Sequence, residues 1–187
     1  VDVTRRKNDQ YFTPSSAITR RLLDRHGWTS GTALEPCAGD GAIADVLRQY
    51  GMTVRTGDID PELAPDIVWN FAVDGFDHQE RYDFVITNPP FNLANEVVRA
   101  ALTLSPVVAM LLRITWIEPC ASRRWIWTCK PPKFIHPLHP RPGFTGDGKT
   151  DSATTAWFVW APGPRGTEVE PFLDWHQDDQ LDMWRTG

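Results

Sequence analysis

The sequence predicts an α/β fold, a mostly parallel sheet with helices on both faces. Three observations carry this. Short apolar runs of strand length alternate with segments whose apolar residues recur at helical spacing. The first such run passes into a glycine-containing turn and then a helix, the unit from which open α/β sheets are built. Residues 107–112 are apolar throughout, as a strand covered on both faces should be.

With 187 residues the chain is expected to form one domain with a full core. Within it, residues 10–112 read as a ligand-binding core, 113–155 as an irregular basic and aromatic region, and 162–187 as an acidic tail. No apolar run reaches the ~20 residues of a membrane span, and the polar, charged start predicts no signal peptide. Cys37, Cys120 and Cys129 lack metal-ligand spacing, and their odd number argues against a disulfide framework. No metal and a reducing cytoplasm are the expectation. The net charge of −5 does not advertise nucleic-acid binding, but its distribution is uneven. Seven Lys/Arg between Arg113 and Lys149, with Trp116, Trp125 and Trp127 among them, oppose only Glu118 and Asp147. That composition suits local nucleic-acid contact or an ordinary solvated loop.

Residues 1–10 are polar and expected to be loose at the start. Tyr11, Phe12, Thr13 and Pro14 lead to Ser15 and Ser16, either of which suits the cap of a helix with Ala17, Ile18, Leu22 and Leu23 on one face. Gly27 is its expected stop. Tyr11 and Phe12 suit a hydrophobic staple or the wall of a pocket. A buried strand over 32–35 runs into Glu35-Pro36-Cys37-Ala38-Gly39-Asp40-Gly41, and a helix follows with Ile43, Val46, Leu47 and Tyr50 on one face. Strand, glycine turn and helix open a nucleotide-binding α/β fold, where glycines let a ligand approach the backbone. Only Gly39 and Gly41 are present, so the dinucleotide fingerprint is absent. Glu35 would repel a pyrophosphate and suits a cationic ligand.

Residues 52–56 form the next strand and lead into Asp58-Ile59-Asp60-Pro61. Asp58 lies 17 residues beyond Gly41, near the ~20-residue offset at which an acid meets ribose hydroxyls. Ile59 can cover a purine face. A third strand over 66–69 ends at Asn70 and Phe71, an acceptor and a ring suited to an adenine edge.

A buried strand over 83–87 ends at Asn88-Pro89-Pro90-Phe91. Asn88 offers a carbonyl acceptor. Pro89 and Pro90 lack an N–H and have fixed φ, so their carbonyls point in set directions. Phe91 offers a flat face. Two acceptors and a ring suit a planar group bearing an NH₂, such as adenine or cytosine; the plain alternative is a strand-to-helix turn. A helix with Leu93, Val97, Ala100, Ala101 and Leu104 on one face follows, ended by Pro106. Residues 156–161 read as a late strand. The acidic tail is expected to end in a short helix bearing Leu173, Trp175, Leu181 and Trp184.

These segments, in this order, resemble the S-adenosylmethionine-dependent amino-methyltransferases of DNA, in particular the adenine-N6 group with cofactor motifs ahead of the catalytic motif. The resemblance covers roughly residues 10–112. It implies a Rossmann-like class I methyltransferase fold with a mostly parallel seven-stranded sheet, and S-adenosylmethionine as cofactor. Tyr11, Phe12, Thr13 and Pro14 resemble the segment lining the methionine end, and Glu35 to Gly41 the main cofactor loop. Asp58, Ile59, Asp60 and Pro61 resemble the ribose and adenine segment. Asn70-Phe71 resembles the segment beside the cofactor adenine, where the family more often has Asp-Phe. Asn88-Pro89-Pro90-Phe91 matches the catalytic motif. The implied reaction is methyl transfer to adenine N6 in a flipped-out base of DNA. RNA bases, a protein glutamine amide, or a non-catalytic binding module are the alternatives. Phe144, Arg123, Arg124 and Lys149 are the candidate substrate contacts. The compact form resembles phage-encoded and orphan enzymes, which implies the cytoplasm of a bacterial or phage-infected cell.

Overall fold

A computed structural model describes residues 13–118, 120–143, 153–164, 166–169 and 173–174. Among the described residues the sheet has nine strands, seven of which form its body: β1 Gly31–Glu35, β2 Met52–Asp58, β3 Ile67–Val68, β4 Phe84–Thr87, β5 Val107–Arg113, β6 Phe134–His139 and β7 Thr155–Trp160. Their order is β3-β2-β1-β4-β5-β7-β6. The first five are mutually parallel, and β7 runs antiparallel between β5 and β6. This is the mostly parallel order expected of the fold. Two-residue strands β8 Glu168–Val169 and β9 Leu173–Asp174 extend its edge by pairing with β6.

The helices are α1 Ser16–His26, α2 Ala42–Gln49, α3 Phe71–Asp74, α4 Ala94–Leu104 and α5 Arg124–Cys129. Ser15 caps α1, its hydroxyl accepting the Ala17 N–H at 3.2 Å, and Gly27 ends it at φ 66°. The two faces of the sheet separate by strand periodicity. Ala109 and Leu111 of β5 join Ile18, Leu22, Ile43 and Leu47 of α1 and α2. Val108, Met110 and Leu112 join Val97, Ala101 and Leu104 of α4.

Residues 113–155 depart from the irregular reading, since they hold α5 and β6. Pro137 sits inside β6, where proline suppresses the strand signal. Only the pairing of β6 with β7 reveals it. Leu173 lies in a two-residue strand rather than a helix; Trp175, Leu181 and Trp184 lie outside the described residues.

Two carboxylates fasten the parallel strands at their edges. Asp83 accepts the Thr32 N–H at 2.7 Å and hydroxyl at 2.9 Å, tying the start of β4 to β1. Asp66 accepts the Thr56 N–H and hydroxyl, each at 2.8 Å, tying the approach to β3 to β2. These hydrogen bonds to Thr56 and Thr32 hold both carboxyls below the usual range.

Gly57 is fixed by a close approach. A Cβ there would stand 2.1 Å from Trp69 Nε1. Gly57→Ala is therefore expected to destabilise the protein by about 1–3 kcal/mol, read as a shift in the midpoint of urea unfolding.

Candidate active site

The strand order reverses at β1 and β4, which lie side by side, with β2 beyond one and β5 beyond the other. In an open α/β sheet, ligands bind beyond the carboxyl ends at such a point. The loop after β1 and the turn after β4 meet there. A small cleft lies between them, lined by Thr13, Glu35, Cys37, Gly39, Asp40 and Asn88 among others.

The β1 loop is held open by backbone geometry. Gly39 has φ 54° and Gly41 φ 81°, both in the left-handed region that favours glycine. A Cβ on Gly41 would meet no atom within 4 Å, so the space beside it is available to a ligand. Ala38 N–H donates to the Gly57 carbonyl at 2.9 Å, binding the loop to the end of β2. Asp58 completes that junction, one carboxylate oxygen accepting from Gly39 N–H at 2.9 Å and the other from Asp60 N–H at 3.0 Å. Each oxygen keeps acceptor capacity beyond that bond. Ile59 follows, partly exposed.

Glu35 is 1% exposed. Its Oε2 accepts the Ala44 N–H at 2.7 Å, from the first turn of α2. Burial pushes its carboxyl well above the usual range, with Asp40 and Asp58 adding to the rise; the Ala44 hydrogen bond and Arg48 oppose it. Burial also raises the Cys37 thiol, and Asp58 and Glu35 reinforce this. The floor of the cleft is thus a buried carboxyl surrounded by acids. A cation placed there would relieve that repulsion.

Across the cleft, Asn88 Nδ2 donates to Thr13 Oγ1 at 3.5 Å. With the NH₂ turned to Thr13, the Oδ1 acceptor is the opposite end of the carboxamide. Pro89 is buried, Pro90 and Phe91 are half-buried, and Phe91 opens a 3₁₀ turn leading into α4. The Arg113 guanidinium, at the end of β5, lies 4.9 Å from the Phe91 ring centroid. The sequence places Arg113 only within a basic stretch. A charge directly after an apolar strand was the available signal.

The other predicted residues divide. Thr13, Glu35, Cys37, Ala38, Gly39 and Asn88 converge on the cleft. Pro14 and Pro36 adjoin it in sequence. Phe71 is 3% exposed and packs into the core against Trp69, ring centroids 5.0 Å apart. Asn70 precedes α3, its N–H donating to Asp74 at 2.9 Å. Arg123 turns inward, donating to the Thr115 and Trp116 carbonyls and to Cys120 Sγ. Ser122 and Arg123 hydrogen bonds lower the Cys120 thiol to about 7. Arg124 is exposed at the start of α5. Tyr11, Phe12, Phe144 and Lys149 lie outside the described residues.

The basic, aromatic segment docks on α4. Trp116 Nε1 donates to Asn95 Oδ1 at 3.0 Å, and Asn95 Nδ2 to Ser122 Oγ at 3.0 Å. Arg99 donates to the Ser122 carbonyl and lies 5.5 Å from the ring of the exposed Trp125. Trp125 therefore flanks the same helix that Phe91 introduces.

No protein-family model matches the chain, and no curated protein matches it by sequence. Among the described residues no helix is long and apolar enough to cross a membrane. Solved structures do match, at 10–21% identity. A Pyrococcus horikoshii protein provisionally described as an RNA methyltransferase is 20% identical, with 82% of this chain and 86% of that one covered and a TM-score of 0.61. The M protein of the type I restriction enzyme EcoKI is 14% identical, with 87% and 48% covered and a TM-score of 0.67. A class I S-adenosylmethionine-dependent methyltransferase from Listeria monocytogenes, so described provisionally, is 10% identical, with 95% and 69% covered and a TM-score of 0.59. The chain spans about half the length of the type I modification subunits it resembles. Strand order and these likenesses agree on the Rossmann-like class I methyltransferase fold.

Proposed function

We propose that this chain transfers a methyl group from S-adenosylmethionine to the exocyclic N6 amino group of adenine in DNA. The observation that carries the proposal is the meeting, at the β1/β4 switch point, of a buried carboxyl beneath an open glycine loop and an Asn-Pro-Pro-Phe turn. The residues present fit the cofactor. Gly39 and Gly41 leave backbone and space for it, Glu35 offers a carboxyl to its cationic end, and Asp58 has acceptor capacity for ribose hydroxyls. Cys37 and Ala38 line the loop, Ile59 covers the purine, and Asn70-Phe71 lies at the next strand end. Tyr11, Phe12, Thr13 and Pro14 complete the methionine end in this reading.

S-adenosylmethionine supplies an electrophilic methyl: the amino lone pair forms the new N–C bond, the C–S pair stays on sulfur, and an amino proton leaves to water. Asn88 Oδ1 and the Pro89 carbonyl accept the two hydrogens of the amino group. That draws nitrogen towards sp³ and aims its lone pair. Pro90 fixes the turn, and Phe91 stacks on the base and sets its plane. Rate then comes from positioning and preorganised acceptors. A duplex target must flip its base out, at a cost of a few kcal/mol. Arg124 and Trp125 on α5 offer a cation and a stacking face to the flanking strand.

RNA adenine is the second reading, favoured by the Pyrococcus horikoshii likeness, which spans most of both chains. Labelled cofactor with unmodified DNA and RNA in parallel, digestion to nucleosides and mass spectrometry separates them. N6-methyladenine from DNA alone is expected. Product only in RNA moves the substrate and keeps the Asn88 chemistry. No product in either, with cofactor bound, overturns the nucleic-acid reading and points to a protein amide.

A further inference from the structure

We propose that Arg113 is a substrate-anchoring residue that binds a phosphate oxygen beside the nucleotide whose base lies on Phe91. This rests on the nucleic-acid reading above and narrows it, because it makes the substrate an anion at that point. The reasons are geometric and chemical. Arg113 closes β5, immediately beside the strand that carries Asn88. Its guanidinium covers the Phe91 ring at 4.9 Å. The side chain is half-buried, and Nε is fully buried without a hydrogen-bond partner. No carboxylate or carbonyl among the described residues engages the guanidinium.

Guanidinium is permanently charged, and a charge drawn out of water is costly unless something pairs with it. The other arginines of this region satisfy that rule: Arg99 holds the Ser122 carbonyl, and Arg123 holds the carbonyls before it. Arg113 alone among these three donates no hydrogen bond to the described residues. The contact with Phe91 is not a hydrogen bond, so it leaves the Nη1 and Nη2 donors unengaged by the described residues. In the proposed function, a base brought to the Phe91 ring would carry its own sugar and phosphate past the ring's edge, where Arg113 lies. A planar fork of donors matches phosphate oxygens well. A neutral amide side chain of a protein would supply no such partner.

The test uses the full chain and an oligonucleotide in which the methylated adenine has been mapped. The phosphates on either side of it are replaced, one at a time, by neutral methylphosphonate. For the wild type, neutralising one of the two is expected to lower kcat/KM about ten-fold, the scale of one charge-assisted contact. Arg113→Gln is expected to start about ten-fold lower and to lose nothing further on that oligonucleotide. Its salt dependence on unmodified DNA should be shallower by about 0.9 in logarithmic slope, or about 0.7 on a single strand. Cofactor affinity by calorimetry should stay at the wild-type value, which also reports folding. Should Arg113→Gln not fold, Arg113→Met, which keeps an apolar stem over Phe91, takes its place. A wild type indifferent to both replacements overturns the inference, as does a variant that loses as much as the wild type. In those cases Arg113 serves only as a prop for Phe91. A wild type that methylates neither DNA nor RNA fails earlier and differently, removing the parent reading itself.

Discussion

Asn88→Ala is expected to lower methyl transfer by about 10²–10³-fold, while cofactor binding measured by calorimetry stays largely intact. The size follows from what the side chain does. In the proposed reaction its Oδ1 is one of two acceptors for the amino hydrogens, and the bond strengthens as nitrogen loses conjugation with the ring. An interaction that strengthens in the transition state appears in kcat. The separation from cofactor binding follows from geometry. Asn88 belongs to the β4 turn, while the glycine loop, Glu35 and Asp58 belong to β1 and β2. Its Nδ2 bonds Thr13 Oγ1 at 3.5 Å, so a modest effect on binding through Thr13 is expected. A variant keeping more than a few per cent of activity would remove Asn88 from the chemistry.

Glu35→Gln is expected to stabilise the protein alone and to weaken its complex with the cofactor. The buried carboxyl has a raised pKa in the folded chain, against ~4.3 when unfolded. The folded state thus binds its proton more tightly. The stability this gives is fully present below the unfolded value and is lost as pH rises through the folded value. Wild-type melting temperature should therefore fall with pH across that window more steeply than that of Glu35→Gln. At neutral pH the variant should melt higher, since Gln keeps an acceptor for Ala44 N–H without a charge to desolvate. A cationic ligand reverses the preference by favouring the ionised carboxyl. Its binding should expel a proton from the wild type, seen as a dependence of calorimetric heat on buffer ionisation enthalpy. Glu35→Gln should expel none and bind at least about ten-fold more weakly, one pKa unit being worth about 1.4 kcal/mol. Equal proton release in both proteins would separate Glu35 from the cation.

What the sequence revealed tracks how local each cause is. The first five strands, α1, α2 and α4 follow from apolar period, caps and punctuation within a dozen residues, and all appear where expected. The cleft was legible because its residues sit at strand ends, whose common edge follows from parallel pairing. β6 was not, because Pro137 masks its local preference and its reason to be a strand is β7, some twenty residues on. The inward turn of Arg123 was equally hidden, since its partners are carbonyls and a thiol that composition does not display. Phe71 shows the same limit: an aromatic at a strand end reads the same whether it faces a ligand or Trp69. Arg113 is the converse, an ordinary member of a basic stretch until the fold sets it over Phe91.

The pairing of β1 with β4 has a metric consequence. Paired strands stand about 4.8 Å apart, a spacing fixed by backbone hydrogen bonds rather than by side-chain length. The glycine loop and the Asn88 turn are carried on two such neighbours, in the register Ala33 with Phe84 and Leu34 with Val85. The gap between them is therefore a lattice constant of the sheet. In the proposed function, the parts that would contact the target lie further along the chain, on α4 and α5. Those parts can be rebuilt for a different target without recalibrating the distance over which a group must pass.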